Sequence, residues 1–196
     1  ANAIIGGIVK SNTLSYENIS IFDITPEKCR DLAGFGVKVY PSAENLVEEC
    51  DIIFLSVKPQ NFTEVLSSVK AKTTTEKLFV SIAAGISTHY IQEALQCPCP
   101  VVRAMPNTPL LLGKGATALC RSAEVTPESF ALVQRFFESS GTVTVLEESQ
   151  MNAVISVNGS SPAYFYLFAK AMVDSAVKQG IPADVALALI CQTMEG

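Results

Sequence analysis

The chain has 196 residues, of which 48% are hydrophobic, so it can bury a sizeable core and does not have the composition of a disordered protein. Its formal net charge is −5 and no basic run occurs, which argues against a nucleic-acid surface. The longest apolar stretch, residues 51–57, is far too short to cross a bilayer, so we expect no membrane partner.

Strand-like and helix-like segments alternate along the first three quarters of the chain. Apolar and β-branched runs predict strands over residues 18–24, 36–40, 51–57, 77–83, 100–105, 115–120 and 141–146. Helical spacing predicts helices over residues 1–10, 43–50, 61–70, 87–95 and 127–138, and one more that starts after Thr25 as its N-cap. Such alternation implies an α/β fold, a Rossmann-like doubly wound and mostly parallel sheet with helices on both faces.

The pattern changes near residue 147, because the remaining segments are all helical. Residues 148–157 have helical spacing, residues 161–180 form a long apolar helix, and another helix begins near residue 183. We therefore predict an α/β domain over residues 1–147 and the start of an all-α domain over residues 148–196.

Two short segments follow buried strands, at the end of a parallel sheet where ligands usually bind. The first is LSVKPQN (residues 55–61), in which Lys58 either faces a cofactor or is a solvated loop lysine. The second is SIAAGI (residues 81–86), in which Ala84 and Gly85 either let a ring or phosphate approach the backbone or simply form a tight turn.

A third segment, VVRAMPNTP (residues 101–109), places two prolines around Asn107 and Thr108 just after a strand. Prolines fix the backbone, so this segment is either a rigid polar wall of a substrate site or a plain connecting loop. Arg103, within the strand, is better explained as half of a structural ion pair than as a ligand contact.

The fourth segment is NGSSPAYFYLF (residues 158–168), in which Ser160 or Ser161 is predicted to cap a helix whose first residue is Pro162. The start of a helix favours an anion such as a carboxylate, although an ordinary capped helix would have the same sequence. The aromatic residues that follow are expected to serve packing.

The remaining candidates for chemistry carry little weight. The six cysteines are scattered, and the only histidine, His89, stands at a predicted helix start and is expected at the surface. No spacing suits a metal site and no Ser-His-Asp set can be assembled, so we predict no metal. Scattered thiols without a visible secretion signal favour the cytoplasm.

Taken together, five segments resemble the pyrroline-5-carboxylate reductase family. They are SVKPQ (56–60), SIAAGI (81–86), VVRAMPNTP (101–109), GSSPAY (159–164) and VKQGIP (177–182), and they occur in the order and spacing of that family. The resemblance covers nearly the whole chain and implies hydride transfer from NAD(P)H to the C=N bond of 1-pyrroline-5-carboxylate, giving L-proline. It also implies that residues 1–147 bind the dinucleotide and that residues 148–196 begin a dimerisation domain, so that the protein is a homodimer or a larger homo-oligomer.

The resemblance also assigns site residues. The cofactor would be lined by Val57, Lys58 and Ala84, with Ser56, Pro59 and Gly85 as their neighbours and with Met105 and Pro106 near the nicotinamide. Asn107, Ser160 and Ser161 would form the catalytic cleft, and no side chain stands out as a proton donor. Asp23 favours the ribose of NADH and disfavours the extra phosphate of NADPH, while Thr25 could bind that phosphate; family members mostly use NADPH, which we therefore expect.

Some features of the family are not found in the 196 residues, namely its first strand, its G-x-G-N-M-A turn and its S-P-G-G-T-T segment. We therefore expect this chain alone to bind dinucleotide poorly and to have little or no activity. Two alternatives stay open: a non-catalytic oligomerising fragment of the same fold, and a β-hydroxyacid dehydrogenase-like enzyme, whose helix lysine could only be Lys170 or Lys178.

Overall fold

The computed structural model describes all residues from 1 to 196. Seven strands are present: β1 (Ser20–Ile21), β2 (Lys38–Val39), β3 (Ile52–Leu55), β4 (Leu78–Ser81), β5 (Val101–Met105), β6 (Gly115–Arg121) and β7 (Gly141–Val145). Eight α-helices are present: α1 (Asn2–Lys10), α2 (Glu27–Ala33), α3 (Ala43–Glu49), α4 (Phe62–Val69), α5 (Thr88–Leu95), α6 (Pro127–Glu138), α7 (Ser161–Lys178) and α8 (Ala183–Glu195). The α/β architecture with a mostly parallel sheet, followed by helices, is the predicted one.

The strands form two sheets. Strands β1 and β2 pair in parallel, and β3 to β7 form a five-stranded sheet in chain order. All neighbours in the larger sheet are parallel except β5 and β6, which are antiparallel. The reversal follows from the connection between them, because residues 106–114 are too few for a parallel crossover.

The larger sheet is covered on both faces, as its strand sequences require. Alternate residues of β4 point to opposite sides: Leu78 and Val80 pack with α1 and α6, whereas Phe79 packs with α4 and α5. This alternation produces one hydrophobic core on each face and fixes the strand ends at one edge.

Four predicted elements differ from the observed ones. Strands β1 and β2 are only two residues long, and β1 follows a 3-10 helix over Tyr16–Asn18. Helix α2 begins at Glu27 with Pro26, not Thr25, as its N-cap residue and therefore has no side-chain cap. Residues 148–157 are not an α-helix: a 3-10 helix spans Glu148–Gln150, and a π-helix spans Ile155–Gly159.

Candidate functional site

Three of the predicted site segments lie together at one edge of the larger sheet. Strands β3, β4 and β5 are parallel neighbours, with Leu55 opposite Ser81 and Ser81 opposite Arg103. Residues 56–59, 83–85 and 105–107 therefore follow three adjacent strand ends. This is the edge at which open α/β sheets bind ligands.

The first segment gives the edge its positive charge. A 3-10 helix over Pro59–Asn61 follows Lys58 and turns the chain away from β3. Lys58 and Ser56 are exposed, whereas Val57 packs partly against the core below α4. The lysine is thus held at the strand end with its side chain in solvent.

The second segment leaves the backbone open to a ligand. Ala83 is buried, Ala84 is exposed, and Gly85 has a φ of +78°, a conformation that side-chain-bearing residues rarely adopt. No atom lies within 4 Å of the place that a Cβ of Gly85 would occupy. The backbone of this turn is therefore not covered by neighbouring atoms.

The third segment is rigid for a reason visible in its hydrogen bonds. Pro106 has no amide hydrogen, and the Asn107 side chain replaces a ladder bond: its Oδ1 accepts from the Ala116 amide at 2.9 Å. The Asn107 carbonyl accepts from the Leu110 amide at 3.1 Å. The side-chain nitrogen is left as the polar atom of Asn107 that a ligand could use.

Asp23 and Thr25 follow β1, in the smaller sheet. The Asp23 Oδ1 atom accepts from the Thr25 amide at 2.9 Å and lies 3.4 Å from the Lys28 Nζ atom. The carboxylate is therefore partly neutralised. No backbone ladder joins β1 to β3, so these two residues belong to a different sheet from the other cofactor candidates.

Ser160 occupies the N-cap position of α7, as predicted, but it makes no side-chain capping bond. Helix α7 begins at Ser161, and Ser160 has helical backbone angles. The bond is absent because the π-helix over Ile155–Gly159 runs directly into α7, so the chain does not enter the helix from an extended conformation. The Ser160 hydroxyl is consequently not used by the helix.

Asn158 is a site residue that sequence reasoning missed. Its Nδ2 atom donates to the carbonyl of Met105 at 2.9 Å and to that of Ala116 at 3.0 Å. These bonds bring the segment with Ser160 and Ser161 against the end of β5. The available signal was a polar residue directly before Gly159, at the end of a mostly apolar segment.

A second polar cluster joins β5 to the start of the helical segment. The buried Arg103 guanidinium donates to Asn152 Oδ1 at 2.7 Å and lies 3.8 Å from Glu148 Oε1. The same carboxylate accepts from the amide and hydroxyl of Thr88 at 2.7 and 2.6 Å. The interpretation of Arg103 as half of a structural ion pair is confirmed.

The histidine lies at the surface, and two buried cysteines have raised pKa values. His89 is exposed and lies 3.2 Å from Glu93, one helical turn away. All six cysteines are free thiols, and burial raises the pKa of Cys99 to about 12 and that of Cys120 to about 11, so both are neutral near pH 7.

No three His, Cys, Asp or Glu side chains converge as metal ligands. Neither α7 nor any other helix combines the length and apolar character that a bilayer span requires.

Known families match both parts of the chain. Residues 1–85 match a family described as NADP oxidoreductase, coenzyme F420-dependent, and residues 148–196 match the pyrroline-5-carboxylate reductase dimerisation family. With the Rossmann-like sheet and its open edge, these matches define the chain as an NAD(P)H-dependent oxidoreductase.

Similar proteins make the assignment narrower. Pyrroline-5-carboxylate reductases of Escherichia coli (strain K12) and Methanosarcina acetivorans are 37% and 36% identical over 99% and 100% of this chain, and over 72% and 73% of their own lengths. The crystal structure of a Plasmodium falciparum pyrroline carboxylate reductase with NADP bound has a TM-score of 0.90 and 29% identity over the whole chain, which spans 72% of that structure. The chain belongs to the pyrroline-5-carboxylate reductase family.

Proposed function

We propose that the protein reduces the C=N bond of 1-pyrroline-5-carboxylate to give L-proline, with NADPH as the reductant. The observation that carries this proposal is the contact between the Met105–Asn107 loop and the Asn158–Ser161 turn, which lie about fifty residues apart in sequence yet are joined by the Asn158 side chain. One side of this contact is rigid and polar, and the other begins a helix. A small anionic imine needs protein groups on two sides to hold it in one orientation.

The bound cofactor, when present, supplies the hydride. We assign its binding to Val57, Lys58 and Ala84, with Ser56, Pro59 and Gly85 beside them and with Met105 and Pro106 near the nicotinamide. Lys58 attracts the negatively charged dinucleotide, and the Ala84–Gly85 turn lets it approach the backbone.

The substrate carboxylate is assigned to Ser160 and Ser161. The Ser160 and Ser161 hydroxyls stand at the start of α7 without a capping bond, and the helix dipole favours negative charge there. We assign the side-chain nitrogen of Asn107, whose Oδ1 is already bound to the Ala116 amide, to the same substrate. No acidic side chain is required, because the imine nitrogen can arrive already protonated from water, and the protein's task is placement.

The choice of NADPH over NADH rests on the surroundings of Asp23. Lys28 lies 3.4 Å from the Asp23 carboxylate and offsets its charge, and we assign the extra phosphate to Thr25, whose amide binds that carboxylate. The scattered free thiols also support our placement of the protein in the cytoplasm.

Self-association through α7 is part of the same proposal. Only Pro162 is buried along α7, whereas Tyr164 to Phe168 are between 56 and 68% exposed. Five consecutive apolar residues surround the whole helix, so packing against α8 alone cannot cover them. A second copy of the chain would do so, as expected for the domain division at residues 147 and 148.

The function is tested by following the absorbance of NADPH and NADH with 1-pyrroline-5-carboxylate and the full-length protein. The double variant Ser160→Ala/Ser161→Ala should raise the KM for this substrate roughly tenfold or more, since hydrogen bonds to a charged group are lost. The control substrate is 1-pyrroline, which has no carboxylate. Its kcat/KM should be nearly the same in the unsubstituted protein and in the double variant. Absence of cofactor consumption would overturn the function, and an equal loss with both substrates would overturn the carboxylate assignment.

The dehydrogenase alternative receives less support from the helices. Lys170 is exposed and forms an ion pair with Asp174 at 2.6 Å one turn later on α7, and Lys178 is the last residue of that helix. The assay above, repeated with a β-hydroxyacid and the oxidised cofactors, should show no reduction of cofactor.

A further inference from the structure

The Asn158 side chain is placed by two strands that are distant in sequence. Its nitrogen donates to Met105 in β5 and to Ala116 in β6, and these residues lie 53 and 42 positions away. Both acceptors are carbonyl oxygens, which fixes the orientation of the amide. The other end, Oδ1, is buried and has no hydrogen-bond partner.

An unpaired buried oxygen is unfavourable and rare, so its presence indicates that the two bonds made by Nδ2 compensate for it. The surrounding backbone also indicates that the position of Asn158 matters. The Ser160 amide donates to the Ile155 carbonyl at 2.8 Å, the five-residue spacing of a π-helix, and such turns are frequent at functional sites. A Cβ on Gly159 would lie 2.6 Å from the methyl carbon at the end of the flexible Met105 side chain, so the segment packs closely against Met105.

The side chains of Asn158 and Asn107 both form hydrogen bonds with the same residue, Ala116 of β6. The Ala116 amide donates to Asn107 Oδ1, and the Ala116 carbonyl accepts from Asn158 Nδ2. One residue of β6 therefore holds the side chains that fix both walls of the proposed cleft. A shift of either wall must break a bond to Ala116 or move β6 with it.

We propose that Asn158 is a positioning residue that sets the separation between the serine turn, Ser160 and Ser161, and the Met105–Asn107 loop. The inference rests on the proposed function only for the role of those two walls. Both observed bonds of Asn158 are to protein carbonyls, so we assign it no contact with either reactant and an action through the serine turn. Its two donors are essential to this role, because the atoms that they bind are both acceptors.

The variant Asn158→Asp tests the proposal because it keeps the shape and removes both donors. The carboxylate would face two carbonyl oxygens, and the serine turn would move away from the loop. We expect kcat/KM for 1-pyrroline-5-carboxylate to fall roughly tenfold or more, since small misplacements at a site have effects of that order. The dissociation constant for NADPH should stay within about twofold of the original.

The matched control is Asn152→Asp, the same chemical change six residues earlier. Asn152 Oδ1 accepts from Arg103, so an aspartate there keeps its bond, and kcat/KM should not change. A purely structural role is excluded by combining Asn158→Asp with Ser160→Ala/Ser161→Ala. If Asn158 acts through the serines, the combined loss should be smaller than the product of the separate losses.

A measurement that does not depend on activity completes the test. Amide hydrogen exchange of residues 155–161 should become faster in Asn158→Asp and not in Asn152→Asp, and Asn158→Ser, which keeps one donor, serves if the aspartate variant does not fold. Unchanged exchange, or multiplicative losses of kcat/KM, would overturn the proposal. A full-length protein that is inactive before any substitution would instead overturn the proposed function, and the exchange result would still decide the role of Asn158.

Discussion

At the scale of single residues, we expect Asp23 to affect how the adenosine end of the cofactor is bound. Asp23→Ser should lower the KM for NADPH relative to that for NADH by up to about fivefold, because a like charge near the extra phosphate is removed and Lys28 is released. Serine can still accept the Thr25 amide, so the turn is kept. Steady-state kinetics with both cofactors measure the ratio. Asp31→Ser, an exposed charge removal on α2, is the control, and an unchanged ratio in Asp23→Ser would mean that Asp23 does not face the ribose.

At the scale of elements, Glu148 connects the helical segment to the sheet. Its carboxylate binds both polar groups of Thr88 at the start of α5 and faces the buried Arg103 of β5. Glu148→Gln should lower the free energy of unfolding by about 1–3 kcal/mol, since a buried guanidinium loses its counter-charge and Thr88 loses an acceptor. Denaturant unfolding measures this free energy. The control is Glu138→Gln at an exposed position of α6, which should leave the free energy of unfolding nearly unchanged. Equal stability of the two variants would show that Arg103 needs no carboxylate.

At the scale of the whole molecule, α7 should be an interface between copies of the chain. Leu167 is 68% exposed on this helix, and Leu112, in the loop after β5, is 81% exposed. Leu167→Lys should therefore dissociate the oligomer at micromolar concentration because it would bury a charge, while Leu112→Lys should not. Light scattering of the three proteins decides between these outcomes. A monomer before substitution would refute the interface.

Much of the fold was predictable because its signals are local. Buried strands such as β4 are short apolar runs bounded by turn residues, and helices such as α6 begin with a Thr-Pro pair that caps and starts them. The segments after β3, β4 and β5 could be placed at one edge because parallel strands share their ends. The antiparallel β6 was not predicted, although the short connection before it is its cause.

The sequence by itself determined the order of the elements, the two-sided covering of the sheet and the family, since each depends on spacing or on motifs of a few residues. Only the tertiary structure decided how Ser160 enters α7, which group pairs with Arg103 and what Asn158 binds. Arg103 and Glu148 are 45 positions apart and Asn158 and Met105 are 53 apart, so no local pattern connects them. Such partners are chosen when packing brings separate segments together and each buried polar group must find a hydrogen bond.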